Sequence, residues 1–443
     1  MTNSRGRLVA LCTVQFVDVM GVTVVVSAMP RMLADLGGSA AQAGLLVPAY
    51  AVGFSSLLLL AARLGDRFGH RRTLVAGLLV FAIGSTAAAA APTLSLLVAA
   101  RGIQGVAAAI SVPNALVLLT RRAQSKAARE RALGAWNACG GLAGASGLLV
   151  GGLTTSAVSW RAIFWGNLVV TAVLVAVLLR LVERDRPSEE LSAGFDPRSV
   201  VLQVVAVGAV VAAANATAKP WPIPVALGLA GVLAAAWLVV RERRTARPLV
   251  AAGLWRPTFV AGLLGSFGIT ATTSSLVVVG TVYFQEEKGF SPASAGLMIL
   301  PFSLGAVVAA GLAGRLMPRT GPRRTLAFGL VLIFGGGAAV WLSSTPAALI
   351  VALVLAGLGN GMGAVAAYGL GTAVPAEQQG SAAGLLNTAA QVGTAMMVAI
   401  TVAIASRADG LDYRAGWLTV ALTALAVLIS VSSVTRHRTR RRC

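Results

Sequence analysis

The chain of 443 residues is 57% hydrophobic and only 12% charged, with a mean hydropathy of +0.81, which excludes a soluble domain and fits a membrane protein. Its net charge of +21 is carried by arginines in short segments between apolar runs, which argues against the single basic face of a nucleic-acid binder. Cys12, Cys139 and Cys443 show neither metal-ligand spacing nor a disulfide framework, so no metal site and no redox chemistry are expected.

The leading MTNSRGR runs straight into an apolar stretch too long for a signal-peptide core, so it predicts a retained first span. A bilayer core about 30 Å thick needs about 20 apolar residues per helix. Such runs fall at 8–30, 44–63, 73–91, 94–119, 131–155, 161–182, 199–217, 222–240, 258–284, 293–316, 324–343, 346–372, 383–406 and 414–435. Fourteen spans put both termini on one side. With the N terminus cytoplasmic, 29 of the 36 Lys and Arg residues fall inside, against 6 outside and Arg101 within a span. The positive-inside rule therefore predicts two cytoplasmic termini. Arginine far outnumbers lysine in a chain rich in Ala, Gly and Val, a GC-rich bacterial pattern, so the expected location is a bacterial plasma membrane.

In the first span, Asp18 is the one acidic residue of fifteen that lies well inside a span, about 15 Å deep at 1.5 Å per residue. A charge there costs at least roughly 2.5 kcal/mol, and an acid able to alternate between neutral and ionised forms is what proton carriage requires. After the second span, Asp66, Arg67, Gly69, Arg71 and Arg72 form a loop whose spacing suits conformational gating. The aspartate accepts bonds from arginines or a helix N-terminus, the glycine permits a tight turn, and the arginines anchor to the leaflet. Leaflet anchoring alone accounts for the arginines but not for Asp66.

The fourth span holds Arg101, the only base inside a span, which can pair with Asp18 or an anion or bond to backbone carbonyls. Glycines cluster in the fifth span, CGGLAGASG at 139–147 followed by Gly151 and Gly152, and again in GLGNGMG at 357–363. Small residues let helices approach closely and, in a transporter, slide or bend, which makes Gly147, Gly151 and Gly152 candidates for helix flexing. The longest polar connection, ERDRPSEELSAGFDPRS, follows the sixth span and falls on the inside, and the pair at 199–240 has few polar residues of its own. Glu286 and Glu287 close the following span at the outer face, as solvated surface acids or, in a second reading, as a point of proton or cation access. Gln104, Asn114, Asn137, Asn360, Tyr368, Asn387 and Gln391 are candidate cavity-wall groups, any of which can instead bond across helices.

At an offset of 252, RLGDRFGHRRTL from Arg63 meets RLMPRTGPRRTL from Arg315 with eight of twelve positions identical. Upstream, AGLLVPAY from Ala43 meets AGLMILPF from Ala295. Both segments come out cytoplasmic, so the repeat is parallel and predicts two similar halves, the usual architecture of a transporter that rocks around a midplane site.

These residues resemble the fourteen-span drug:proton antiporter group of the major facilitator superfamily over almost the whole chain. RLGDRFGHRR at 63–72 is similar to the loop signature G-x-L-x-D-R-x-G-R-R, with Ala62 for the opening glycine, and RGIQGVAAA at 101–109 to the fourth-span R-x-x-Q-G-x-x-x-A. SWRAIFWGN at 159–167 resembles the family's start of the sixth span and YFQEEKGFSPASAGLMILP at 283–301 its seventh-to-eighth connection. Two positions depart. Leu148 stands in GLLVGG at 147–152 where the antiporter signature has proline, and Gly21 stands in GVTVVVSAMP at 21–30 where the first-span pattern has aspartate. Asp18, three residues before Gly21, is read as taking over that acid's role, and the resemblance links Arg101 to proton coupling.

The expected fold is an all-α polytopic membrane protein of fourteen transmembrane helices: a six-helix bundle over 1–182, a cytoplasmic linker at 183–198, an inserted hairpin at 199–240, a second six-helix bundle over 241–435 and a basic tail at 436–443. The expected function is export of amphipathic drugs or antibiotics in exchange for protons by a monomer in the lipid bilayer, with the proton gradient as energy source and no cofactor. A proton-linked carrier of one metabolite, such as an amino acid or siderophore, is the alternative. An intramembrane enzyme would need clustered His, Asp or Glu or an activated nucleophile, whereas the only histidines, His70 and His437, lie in cytoplasmic segments. No Walker loop is present for ATP drive.

Overall fold

In the computed structural model, which describes residues 2–39, 42–120, 126–183, 197–216, 222–244, 254–343, 345–374, 379–407 and 410–436, each apolar run is a helix. In lipid a backbone has no water to bond, so each spanning segment must satisfy its own N–H and C=O groups. The first six helices are α1 (Thr2–Asp35), α2 (Ala43–Phe68), α3 (His70–Ala89), α4 (Leu94–Thr120), α5 (Lys126–Ala157) and α6 (Trp160–Leu181). A pair follows, α7 (Pro197–Asn215) and α8 (Pro222–Arg244). The last six are α9 (Pro257–Val282), α10 (Pro292–Thr320), α11 (Pro322–Leu342), α12 (Pro346–Gly371), α13 (Gln379–Ala405) and α14 (Tyr413–Arg436). A two-residue hairpin pairs β1 (Ser406–Arg407) with β2 (Gly410–Leu411) between α13 and α14, a small exception to the all-helical expectation. Among the described residues, ten helices are long and apolar enough to cross a membrane, and shorter apolar stretches lie at Leu45–Ser55, Val201–Val210 and Pro222–Leu238. The chain is a helical multi-pass membrane protein.

The helices pack as two groups with matching neighbours. In α1–α6, α4 packs on α2 and α3, and α1 on α5 and α6; in α9–α14, α12 packs on α10 and α11, and α9 on α13 and α14. Lipid tails are as apolar as leucine, so close backbone approach, which small residues permit, holds spans together. The internal repeat sets where those residues stand. A Cβ on Gly53 would fall on the carbonyl oxygen of Gly102 and one on Gly105 on that of Tyr50. At 252 residues further, a Cβ on Gly305 would stand 3.1 Å from the carbonyl oxygen of Val354 and one on Gly357 on that of Phe302. Gly77 abuts Ala107 and Ser111 across α3 and α4 as Gly329 abuts Gly359 and Gly363 across α11 and α12.

The joints repeat as well. The segment 63–72, expected as a loop, is helical on both sides of one residue: α2 continues to Phe68, α3 starts at His70, and Gly69 alone breaks the run with φ 90°. Gly321 does the same between α10 and α11 with φ 80°. Each glycine donates back to the preceding helix, Gly69 to Gly65 and Gly321 to Met317, both at 2.9 Å. Each carbonyl then receives the N–H and hydroxyl of the next helix's threonine, Thr73 or Thr325. Only glycine adopts such a φ without strain.

Of the middle pair, α7 touches both groups: it packs on α2 and on α13, and Gln203 Nε2 donates 2.8 Å to the carbonyl of Ser55 on α2. Most of the linker expected at 183–198 and of the tail at 436–443 lies outside the described residues. Large apolar side chains such as Val173, Leu233 and Trp237 are exposed, as a lipid-facing surface requires.

Candidate functional site

The glycine contact between α2 and α4 brings Tyr50 beside Arg101, because Arg101 lies one turn before Gly105 on the same face of α4. Arg101 is fully buried. Its Nη1 donates to the carbonyl of Gly21 at 3.1 Å and to Oε1 of Gln104 at 2.8 Å. Gln104 Nε2 donates 2.9 Å to Oγ of Ser85, which in turn donates 2.8 Å to the carbonyl of Phe81. The guanidinium carbon lies 4.5 Å from the centre of the Tyr50 ring. At that distance a desolvated cation is attracted by the ring face. The Tyr50 hydroxyl donates to Oδ1 of Asp18 on α1. Of the partners open to Arg101, a backbone carbonyl is met at Gly21, and Asp18 is joined to it through Tyr50, a residue the sequence does not single out. The signal was present in the repeat, where Tyr50 aligns with Phe302 and differs from it only by the hydroxyl.

One edge of Arg101 is unused: Nε and Nη2 are buried and have no hydrogen-bond partner among the described residues. A buried donor left unmade is costly, and this edge is the one that grips a carboxylate with two parallel bonds. The usual acid position, Gly21, supplies a backbone carbonyl to the arginine instead of a side chain.

The gating residues separate. Arg67 is exposed, with its guanidinium 5.4 Å from the Phe68 ring; Arg72 is exposed; Arg71 Nη2 donates 2.6 Å to the carbonyl of Leu179 at the end of α6. The Asp66 side chain lies outside the described residues. His70 is buried, its Nδ1 2.7 Å from Oδ1 of Asn114. Asn114 Nδ2 donates to the carbonyls of Ala61 and Ile110 at 3.0 and 2.7 Å, so this amide ties α2, α3 and α4 together and is no cavity wall. Gln104, clasped by Arg101 and Ser85 and fully buried, is likewise removed from the wall. Asn360 accepts from the Thr273 hydroxyl at 3.4 Å, Asn387 and Gln391 are half-buried on α13, and Tyr368 is 38% exposed. The side chain of Asn137 lies outside the described residues.

The fifth-helix glycines stand at close helix contacts. A Cβ on Gly147 would meet Thr23, one on Gly151 would meet Val24 and Ser27, and one on Gly152 would stand 2.8 Å from the Cα of Ala293. A Cβ on Gly296 would stand 2.6 Å from the carbonyl oxygen of Leu148, so Leu148 lies where α5 and α10 touch backbone to backbone. Ala293 N donates 3.3 Å to Ser156 Oγ, and Gln285 Nε2 donates 2.7 Å to the carbonyl of Ser27. Gln285 belongs to a π turn over Tyr283–Glu287 that ends α9. Ala51 of α2 packs against Ala395 of α13. These contacts join the two groups towards the end of the bundle away from the start of α1. There, Trp160 Nε1 donates 2.8 Å to Oδ2 of Asp35, and Arg161 lies 4.1 Å over the Trp160 ring with Nη2 3.0 Å from the carbonyl of Ala91. The SWRAIFWGN segment therefore staples α6 to the end of α1.

The described residues include no group of three or more His, Cys, Asp or Glu able to hold a metal ion.

Comparison with known proteins gives one family. The profile described as Major Facilitator Superfamily matches residues 11–397 and 262–442. The chain is 35% identical over 412 residues to the puromycin resistance protein pur8 of Streptomyces alboniger, covering 89% of this chain and 80% of that one. It is 32% identical to the tetracenomycin C resistance and export protein of Streptomyces glaucescens, covering 91% and 77%. It is 30% identical to the multidrug efflux pump LfrA of Mycolicibacterium smegmatis, covering 89% and 80%. Among solved structures, the human organic anion transporter MFSD10 superposes with a TM-score of 0.67 at 15% identity over 97% of this chain and 99% of that one. A bacterial homologue of the human lysosomal transporter Spinster, inward-facing and occupied, gives 0.65 at 17% over 98% and 96%.

Proposed function

The chain belongs to the major facilitator superfamily, and from that premise we propose that it exports amphipathic drugs or antibiotics in exchange for protons. The observation that carries this reading is the Asp18–Tyr50–Arg101 constellation, a half-buried acid and a fully buried base brought together in spans otherwise nearly free of charge. The names of the relatives, which are resistance and efflux proteins, support the direction and the class of substrate.

The proposed arrangement is fourteen spans in a bacterial plasma membrane with both termini cytoplasmic. Two six-helix bundles, 1–182 and 241–435, flank an inserted hairpin at 199–240, with the linker at 183–198 and the tail at 436–443 on the cytoplasmic side. In that orientation the contacts of α5 with α10 and of α2 with α13 close the outer end, which supports reading this state as inward-facing. Substrate then enters from the cytoplasm or inner leaflet between the bundles. Gating at 63–72 works through Arg71 holding α3 to α6 and Gly69 joining α2 to α3. A proton arriving from outside neutralises Asp18 and favours return to the inward-facing state; its release inside restores the carboxylate that Tyr50 and Arg101 stabilise. The protein works as a monomer, with protons as the energy source and no cofactor.

Leu148 supports a second reading, proton-linked transport of a single metabolite. It fills the place of the antiporter proline and packs its carbonyl on Gly296, fixing α5 against α10. Reconstitution into liposomes with an imposed pH gradient tests both, using a panel of antibiotics and dyes with wild type and Asp18→Asn. Accumulation that the substitution abolishes is expected; accumulation that survives it removes Asp18 as the carrier, and transport of no member of the panel favours the metabolite.

A further inference from the structure

The scaffold at Tyr50 asks for an aromatic ring and nothing more. Its counterpart Phe302 seats its carbonyl on Gly357 as Tyr50 seats its own on Gly105, and it does so without a hydroxyl. The counterparts of Arg101 and Gln104 at the same offset are Leu353 and Ala356. The hydroxyl of Tyr50 therefore belongs with the ionisable groups rather than with the packing. Among the described residues, Tyr50 is the side chain that bonds to one and stacks on the other: its hydroxyl donates to Asp18 and its ring face covers Arg101. The next residue on α2, Ala51, meets Ala395 of the other bundle. The Nε and Nη2 edge of Arg101 stands beside this group with no hydrogen-bond partner among the described residues.

We propose that the Tyr50 hydroxyl is the positioning group that couples the proton site to the movement of the bundles. With α2 seated on α13, it holds the Asp18 carboxylate away from the free edge of Arg101; when α2 and α13 part, the carboxylate passes to that edge and makes the two parallel bonds the guanidinium is shaped for. Tyrosine keeps its own proton throughout. It donates to the carboxylate, and once water delivers a proton to Asp18 its lone pairs accept from the new carboxyl O–H. The proton is thus bound and lost at Asp18 alone. The groups facing this site are Asp18 from α1, Tyr50 from α2 and Arg101 from α4 as the ionisable ones, with neutral Ser85 from α3 and Gln104 from α4. On the opposite bundle, α9 over Pro257–Val282 and α13 over Gln379–Ala405 carry no Asp, Glu, Lys or Arg.

This inference rests on Asp18 being the proton carrier, and the test separates the two claims without needing the substrate. Infrared difference spectroscopy of the full protein in lipid, titrated with acid, reads the carboxyl C=O band. The wild-type band is expected to vanish in Asp18→Asn. In Tyr50→Phe it is expected to persist, to shift in frequency, and to titrate with a midpoint displaced by about one to two pH units, the effect of one hydrogen bond to a charged group. Spin labels on α2 and α13 are expected to report a pH-driven separation in wild type that Tyr50→Phe loses. Ala395→Leu, which wedges the helices apart without altering an ionisable group, is expected to move the same midpoint and carries the test should Tyr50→Phe misfold. A band unaffected by Asp18→Asn overturns the carrier itself. A band that Asp18→Asn removes but that Tyr50→Phe and Ala395→Leu leave at its wild-type frequency and midpoint overturns the role of Tyr50 while the carrier stands.

Discussion

The two groups of six helices share three close glycine contacts and differ in what they bury between the helices. Gly53, Gly77 and Gly105 in α2, α3 and α4 have counterparts in Gly305, Gly329 and Gly357 that meet equivalent neighbours. Between those helices the first bundle places Tyr50, Arg101 and Gln104, and the second places Phe302, Leu353 and Ala356. Close approach of backbones is a requirement of any packed membrane bundle, so both halves keep it. An ionisable cluster at membrane depth is costly and is kept only where something uses it.

Exchanging residues between the halves breaks or sharpens this comparison, and the largest effect is expected from carrying the charge across. Leu353→Arg buries a cation with no clasp and is expected to cost about 3–5 kcal/mol, enough to prevent recovery of a monodisperse protein; a variant that purifies and melts like wild type would mean the second bundle tolerates the same chemistry. The reverse exchange, Arg101→Leu, is expected to leave a folded protein whose gradient-driven uptake falls about a hundredfold in liposomes. Uptake within a factor of two of wild type would show the arginine to be structural. The shared scaffold predicts equal damage in both halves: Gly105→Ala and Gly357→Ala each drive a methyl onto a carbonyl oxygen, and each is expected to lose about 1–3 kcal/mol in thermal unfolding. Clearly unequal losses would argue that the repeat is no longer equivalent there. Smallest is Phe302→Tyr, which supplies the hydroxyl at a half-buried position without an acid to hold; a loss of about 0.5–1 kcal/mol of stability and an unchanged pH dependence of transport are expected.

How much of this was legible follows from what each residue does to its surroundings. Fourteen helix positions could be read because a membrane demands long apolar runs, and Asp18 and Arg101 because a charge inside such a run stands out. Gly69 and Gly321 were visible as a repeat, yet the segment around Gly69 read as a loop because its arginines look like a solvated connection; the backbone instead stays helical up to one glycine with φ 90°. In the sequence, Asn114 and Gln104 fit a cavity wall and a bond across helices equally, because nothing in the spacing separates the two. His70, Ser85 and Arg101 come from other helices or other turns to satisfy them, and no spacing in the sequence announces that. Tyr50 was missed for the opposite reason: an aromatic residue among Leu, Val and Pro looks like packing until the acid it holds is in view.

The joints at Gly69 and Gly321 have a mechanical consequence. A long loop transmits tension only when taut, and it lets the spans on either side turn independently. A single residue, hydrogen-bonded to the helix before it and to the helix after it, has no slack of that kind. Torque applied to α2 reaches α3 within one residue, and torque on α10 reaches α11 in the same way, so each pair turns as one crank about a fixed elbow.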